Sequence, residues 1–289
     1  MMADSLKFEG ELPELLIKVL VFFDLFDYPL TAYEIWQNID KKYSLLEVIF
    51  SLSKNKNIID EEDGLYFLKD RASNINIRQR RFNYFYRKLK IARKFTALFK
   101  ICPFIKTIAL ANLFGSYNLR DKSDIDFFVI ATSGRIWLTR LYCAGLTKLL
   151  NKRPTDKIKQ DRICLSFYIS EDHLNLNDVK IDEFDPHFHF WIRNFFLLYN
   201  QDKTYQNFLK ANIHSSLLDS AAIYKKKIFL DFLEKMAKAW QLMIMPPEIT
   251  KALKNPECVI VNDQILKFHV HDNRREILKK YEVKINQFF

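Results

Sequence analysis

Glycine, proline and cysteine are all scarce in this chain, at 5, 8 and 4 residues out of 289. None of them gathers into a proline-rich, glycine/serine-rich or repetitive tract, so no long flexible linker is expected and the domains should pack closely. Cys102, Cys143, Cys164 and Cys258 lie far apart with no C-x-x-C pair. That spacing speaks against a disulfide framework and against structural zinc, and points to reduced thiols in a reducing compartment. The first residues lack the basic-then-apolar order of a secretory signal, carrying instead Asp4, Glu9, Glu11 and Glu14. The most apolar early run, Leu12 to Phe26, is broken by Glu14, Lys18 and Asp24 and is too short and too charged to span a bilayer. A cytoplasmic protein that does not engage a membrane is the expectation.

What is present is core-forming material and positive charge. Apolar residues make up 49% and aromatics 15% of the chain, enough for two ordinary buried cores at this length. The formal net charge is +10. Residues 71–100 hold ten cations (Arg71, Arg78, Arg80, Arg81, Arg87, Lys88, Lys90, Arg93, Lys94, Lys100) and no acid. Phe82, Phe85, Leu89, Ala92 and Phe99 recur there at helical spacing, which predicts a basic connecting helix with its cations on the exposed side. Such a face suits a polyanion, nucleic acid or a nucleoside triphosphate, and equally a solvated helix surface without a ligand.

Residues 12–69 read as a helical module ending in a hairpin. Leu12, Leu15, Leu16, Val19, Phe22, Phe23 and Phe26 mark one helix face, and Asp27-Tyr28-Pro29 ends it. Thr31 with Glu34 and Ser44 with Glu47 have capping-box spacing and open two more helices. Ile58-Ile59, Asp63-Gly64 and Leu65 to Leu68 give strand, tight turn, strand. The order resembles a winged helix-turn-helix module over residues 1–70. Its turn, Asp60 to Asp63, places four carboxylates where a duplex presents phosphates, and its third helix has no base-reading Arg. A packing or protein-interaction role is therefore favoured over DNA recognition.

Beyond Cys102-Pro103, the run Thr107 to Phe114 predicts a strand ending at Gly115-Ser116. A polar turn, Tyr117 to Ser123, leads to a strand at Ile125 to Ala131, a helix from about Arg135 to Leu150, and a third strand at Ile163 to Ile169. This is the order of a small mixed α/β sheet flanked by helices, in an α+β protein. Asp124 and Asp126, two apart on a strand, face the same side and repel unless a cation joins them. Hard oxygen ligands of this kind suit Mg²⁺, or Mn²⁺, held jointly with substrate phosphates. Gly115 lets a phosphate approach the backbone, and the Ser116 hydroxyl and amide can donate to it. Lys122 and Arg120 in the spacer add charge near such phosphates or are simply solvated.

The string LFGSYNLRDKSDIDFFVI resembles the nucleotidyltransferase superfamily of DNA polymerase beta: an apolar strand, Gly-Ser, a spacer, and Asp-x-Asp on the next strand. ICLSFYISEDHL, a helix through Trp191 to Tyr199, and YQNFLKANI are similar to bacterial nucleotidyltransferase-domain proteins, which sets that domain at residues 101–215. The resemblance implies Mg²⁺-dependent transfer of a nucleoside monophosphate from a triphosphate such as ATP to an acceptor hydroxyl, with release of pyrophosphate. It implies that Asp124 and Asp126 bind metal and act in catalysis, and that Gly115 and Ser116, with Lys122 nearby, hold the triphosphate. It also implies a third carboxylate on the third strand, where this chain has Ser166 or a neighbour; Asp161, Glu171 and Asp172 at the strand ends are the substitutes. A catalytically weak nucleotide-binding or regulatory protein is the alternative.

Residues 216–289 are expected to be helical, with Ile228, Phe232, Met236, Ala239 and Met243 marking a long helix that closes at Pro246-Pro247. His187-x-His189 and His269-x-His271-Asp272 are weak metal patterns, better explained by packing. If the basic segment holds DNA or RNA by its phosphates, anisotropy titrations will show affinity falling at least tenfold between about 50 and 200 mM salt.

Overall fold

The computed structural model describes residues 10–39, 42–111, 119–155, 157–213 and 228–289. Among them are ten α-helices and two sheets, of three and six strands, in a mixed α+β arrangement. The early elements are α1 (Leu12–Asp24), β1 (Leu30–Thr31), α2 (Ala32–Asn38), α3 (Leu45–Lys54), β2 (Ile59–Glu62), β3 (Leu65–Leu68), α4 (Ser73–Phe99) and β4 (Ile105–Leu110). After them come β5 (Ile125–Ala131), α5 (Ile136–Leu149), β6 (Ile163–Ser170), α6 (Pro186–Arg193), β7 (Phe196–Asn200) and α7 (Thr204–Ile213). The last are α8 (Ile228–Met243), α9 (Pro247–Ala252), β8 (Val259–Val261), β9 (Ile265–Phe268) and α10 (Arg274–Ile285). No helix among the described residues is long and apolar enough to cross a membrane.

The chain divides into two compact units, Met1–Asn83 with Ile181–Arg193 and Asn273–Phe289, and Tyr84–Lys180 with Asn194–Asp272. The first unit thus gathers three separate pieces of sequence. Its α1 is buried along Leu15, Leu16, Val19, Phe22 and Phe23, and ends where Asp27 turns left-handed at φ 53°. Both expected capping boxes form: Thr31 and Ser44 accept from the amides of Glu34 and Glu47, whose carboxylates bind back. The hairpin turn has left-handed Asp63 and Gly64 (φ 54° and 74°), the pair of positive φ values that a two-residue turn between twisted strands requires. Phe22 packs on Phe190 of α6 with centroids 4.4 Å apart. Asp24, 5% exposed, accepts hydrogen bonds from Arg71, Asn74 and Lys284, so its buried charge is compensated.

The second unit is built on the six-stranded sheet, in the order β7-β4-β5-β6-β9-β8. β5 and β6 are parallel, joined by the α5 crossover, and every other pairing is antiparallel. Ile125, Phe127, Val129 and Ala131 of β5 fill one core with Phe99, Trp137 and Tyr168. On the opposite face Phe128 meets Phe167, Phe195 and Phe208 at centroid distances of 4.8 to 5.4 Å.

Three sequence expectations are corrected. The helix expected through Trp191 to Tyr199 stops at Arg193, and Phe196–Asn200 forms β7, because the edge of β4 offers backbone partners that local periodicity does not reveal. The C-terminal region is not wholly helical: Val259–Val261 and Ile265–Phe268 extend the sheet from the free edge of β6. The basic helix spends half its cations internally. Arg71, Arg78 and Arg81 bind Asp24, Glu34 and Asp27, while Arg87 and Lys88 bind Asp121 and Asp161.

Phe128 is fully buried in the aromatic cluster, so Phe128→Ala should cost about 3–5 kcal/mol, read as a lower urea midpoint at unchanged slope.

Candidate metal centre

Asp126 lies in β5 and Asp124 directly precedes it; Asp126 faces Cys164 of β6 in the parallel register. From there to the Phe128–Phe167 pair β5 advances two residues and β6 three, so β6 carries an extra residue. A bulge of this kind re-aims side chains at a strand end. It leaves Asp126 and Cys164 on the face that continues into the Phe128 and Phe167 rings. One ligand atom from each of Asp124, Asp126 and Cys164 lies within 4.8 Å of the others, the one such acid, thiol or imidazole group of three among the described residues. The sequence-predicted aspartates therefore do converge on one point.

The backbone at Asp124 is pinned on both sides. The Ser123 carbonyl accepts from the Lys88 ammonium at 2.5 Å and from the Asp161 amide at 3.2 Å, and the Ile125 amide donates to the Arg162 carbonyl at 2.8 Å. Lys88 is completely buried and also donates to the Asp121 carbonyl at 3.1 Å and to Asp161 Oδ1 at 3.0 Å. Arg87 beside it binds Asp121 and Asp161. The Asp126 carbonyl accepts from the Ala111 amide at 2.9 Å, which ties the end of β4 to the second aspartate.

Gly115 and Ser116 fall within 112–118, outside the described residues. Lys122 and Arg120 are exposed; the Arg120 carbonyl accepts from the amide and hydroxyl of Ser123. None of the three acids expected as substitutes joins the centre. Asp161 is held by Arg87 and Lys88. Glu171 and Asp172 follow the far end of β6, roughly 20 Å along the strand from Cys164, where they bind the Ser133 amide and hydroxyl. The third position belongs to Cys164, which its isolated place in the sequence marked only as a buried thiol. Sequence reading also missed Lys159, whose charge acts on Asp124; His269, read from the sequence as a weak metal pattern, has its ring 2.7 Å from the Ser166 hydroxyl, two residues from Cys164. Asp272 is engaged by Lys267, and His189 by Arg193.

Burial raises the Asp124 carboxyl above the usual aspartate range, against the opposing charges of Lys159 and Lys88 and a hydrogen bond from Cys164. Burial, and then the negative charges of Asp126 and Asp124, push the Cys164 thiol well above its ordinary value. The centre as built is thus two carboxylates and a neutral thiol. Such a donor set fits a hard divalent cation held by the two aspartates, with the remaining positions left to water and phosphate oxygens. A neutral thiol contributes little to such an ion.

Comparison with protein-family models, with curated proteins and with solved structures gives no match for this chain. The geometry of the centre therefore carries the functional reading alone.

Two outcomes follow. Lys88→Met removes the shared donor of Ser123, Asp121 and Asp161, and should lower stability by roughly 3 kcal/mol in urea titrations and weaken Mg²⁺ binding. Asp124 holds its proton more firmly folded than unfolded, so without metal its contribution to stability falls as pH rises through its raised titration range. Because a cation binds only the ionised form, Mg²⁺ affinity measured by calorimetry should begin to fall, on acidification, at a higher pH than for an exposed aspartate pair.

Proposed function

We propose that the chain is a divalent-metal-dependent nucleotidyltransferase, which moves a nucleoside monophosphate from a nucleoside triphosphate to an acceptor hydroxyl. The convergence of Asp124 and Asp126 on one point, beside the strand that leads toward Gly115-Ser116, carries this reading. A small mixed sheet backed by helices is in keeping with the polymerase beta-like fold that the sequence resembles. Mg²⁺ or Mn²⁺ at the two carboxylates supplies charge neutralisation on the phosphates and alignment of the acceptor. Asp124 and Asp126 hold that ion; the Gly115-Ser116 backbone and hydroxyl receive the triphosphate, and Lys122 and Lys159 add positive charge near it. The acceptor oxygen bonds to the α-phosphorus as the bridge to the β-phosphate breaks, pyrophosphate leaves, and the hydroxyl proton passes to water. In this reading residues 1–70 form a winged helix-turn-helix-like module used for protein contact. Its third helix exposes Leu46, Ile49 and Phe50 rather than cations.

Cys164 in the third position favours a second reading, a protein that binds nucleotide with Mg²⁺ and turns over little. One experiment separates the two. Transfer of label from α-labelled triphosphates to a panel of acceptors, lost at least ~1,000-fold in Asp124→Asn with Asp126→Asn while circular dichroism is unchanged, supports the enzyme. Mg²⁺-dependent nucleotide binding without pyrophosphate release supports the second reading, and full activity in the double variant rejects both.

A further inference from the structure

α8 is amphipathic in the reverse sense for a helix at a protein surface. Its inward side packs Ala237 into the core and is otherwise polar: Glu234 accepts from the Trp137 and Leu138 amides and so caps α5, Asp231 pairs with Arg135, and Gln241 donates to the Trp137 carbonyl. Its outward side is apolar. Ile228, Phe229, Phe232, Met236, Trp240 and Met243, with Ile244 just beyond, are 48% to 82% exposed. At about 150–250 Å² per large side chain, these seven leave roughly 800 Å² of apolar surface open to water. That exceeds the largest patch of an ordinary monomer and equals one side of a standard protein–protein interface.

The area of the stripe, enough for one side of a stable dimer, selects a second copy as the occupant, and its order is compatible with one. Measured from Met236, six of the exposed large apolar residues fall four, seven and eight positions away on both sides, Phe232 and Trp240, Phe229 and Met243, Ile228 and Ile244, while Leu242, six positions away, has no exposed counterpart at Leu230. A row that reads the same in both directions is complementary to its own antiparallel copy. On a two-fold axis through Met236, Phe232 of one helix meets Trp240 of the other, Phe229 meets Met243, and Met236 meets itself. We infer that the outward face of α8 is an isologous dimer interface, in which two copies of this chain pair antiparallel α8 helices about Met236.

The full-length protein tests this in sedimentation equilibrium. The expected result is a dimer in wild type, with association weakened at least ~30-fold in favour of monomer by Phe232→Glu and unaffected by Phe50→Glu, an equally exposed aromatic on α3. Should Phe232→Glu fail to fold, Met236→Cys replaces it. Under mild oxidation the two-fold axis brings that thiol against its own copy, and a covalent dimer forms that Lys235→Cys and wild type do not give. A wild-type monomer at about 100 µM, a dimer indifferent to Phe232→Glu, or cross-linking equal at positions 235 and 236 would overturn the assignment.

Discussion

The candidate centre depends on one buried cation. Lys88 has no access to water, so its charge must be met by protein groups, and the groups that meet it are the Ser123 and Asp121 carbonyls and the Asp161 carboxylate. Those three flank the start of β5 and the start of β6. Satisfying the ammonium therefore fixes the spacing of the two strand ends that deliver Asp124 and Cys164. Water could not replace the amine without loosening that spacing, because a bridging solvent molecule carries no charge to hold Asp161.

The centre is arranged against its own stability. Two carboxylates and a thiol share a small volume, and burial has already raised both Asp124 and Cys164 above their ordinary values. The sheet beneath supplies the rigidity that holds them there: Phe128 and Phe167, next along the same face, are locked in an aromatic cluster with Phe195 and Phe208. A β-bulge in β6 separates the rigid part from the centre and turns Cys164 toward Asp126. Perturbed carboxyl and thiol groups held on firm packing are the kind of arrangement that clusters at functional sites.

α8 shows the same separation of roles on the other side of the sheet. Polar groups do the internal work there, since Glu234 provides the acceptor that the first turn of α5 does not obtain from its own N-cap, Arg135. The apolar residues that the periodicity of the chain assigns to a core are turned outward instead. Hydrophobic spacing reports that a helix has an apolar face, and leaves open what covers it.

By itself the sequence determined what is local. Both capping boxes, the Asp63-Gly64 turn, β5 with Asp126 in it and Asp124 directly before it, and the helix between β5 and β6 were legible, because each rests on contacts within a few residues or on the period of a strand or helix. Tertiary structure decided what depends on distant partners. Phe196–Asn200 and Val259–Phe268 became sheet because β4 and β6 had open edges. Half the cations of the basic segment pair with acids dozens of residues away, and one of them, Lys88, is buried to do so. Cys164, rather than Asp161 or Glu171, came to face Asp126 because strand register selects one residue on the neighbouring strand, and register is a property of two strands that neither sequence encodes alone.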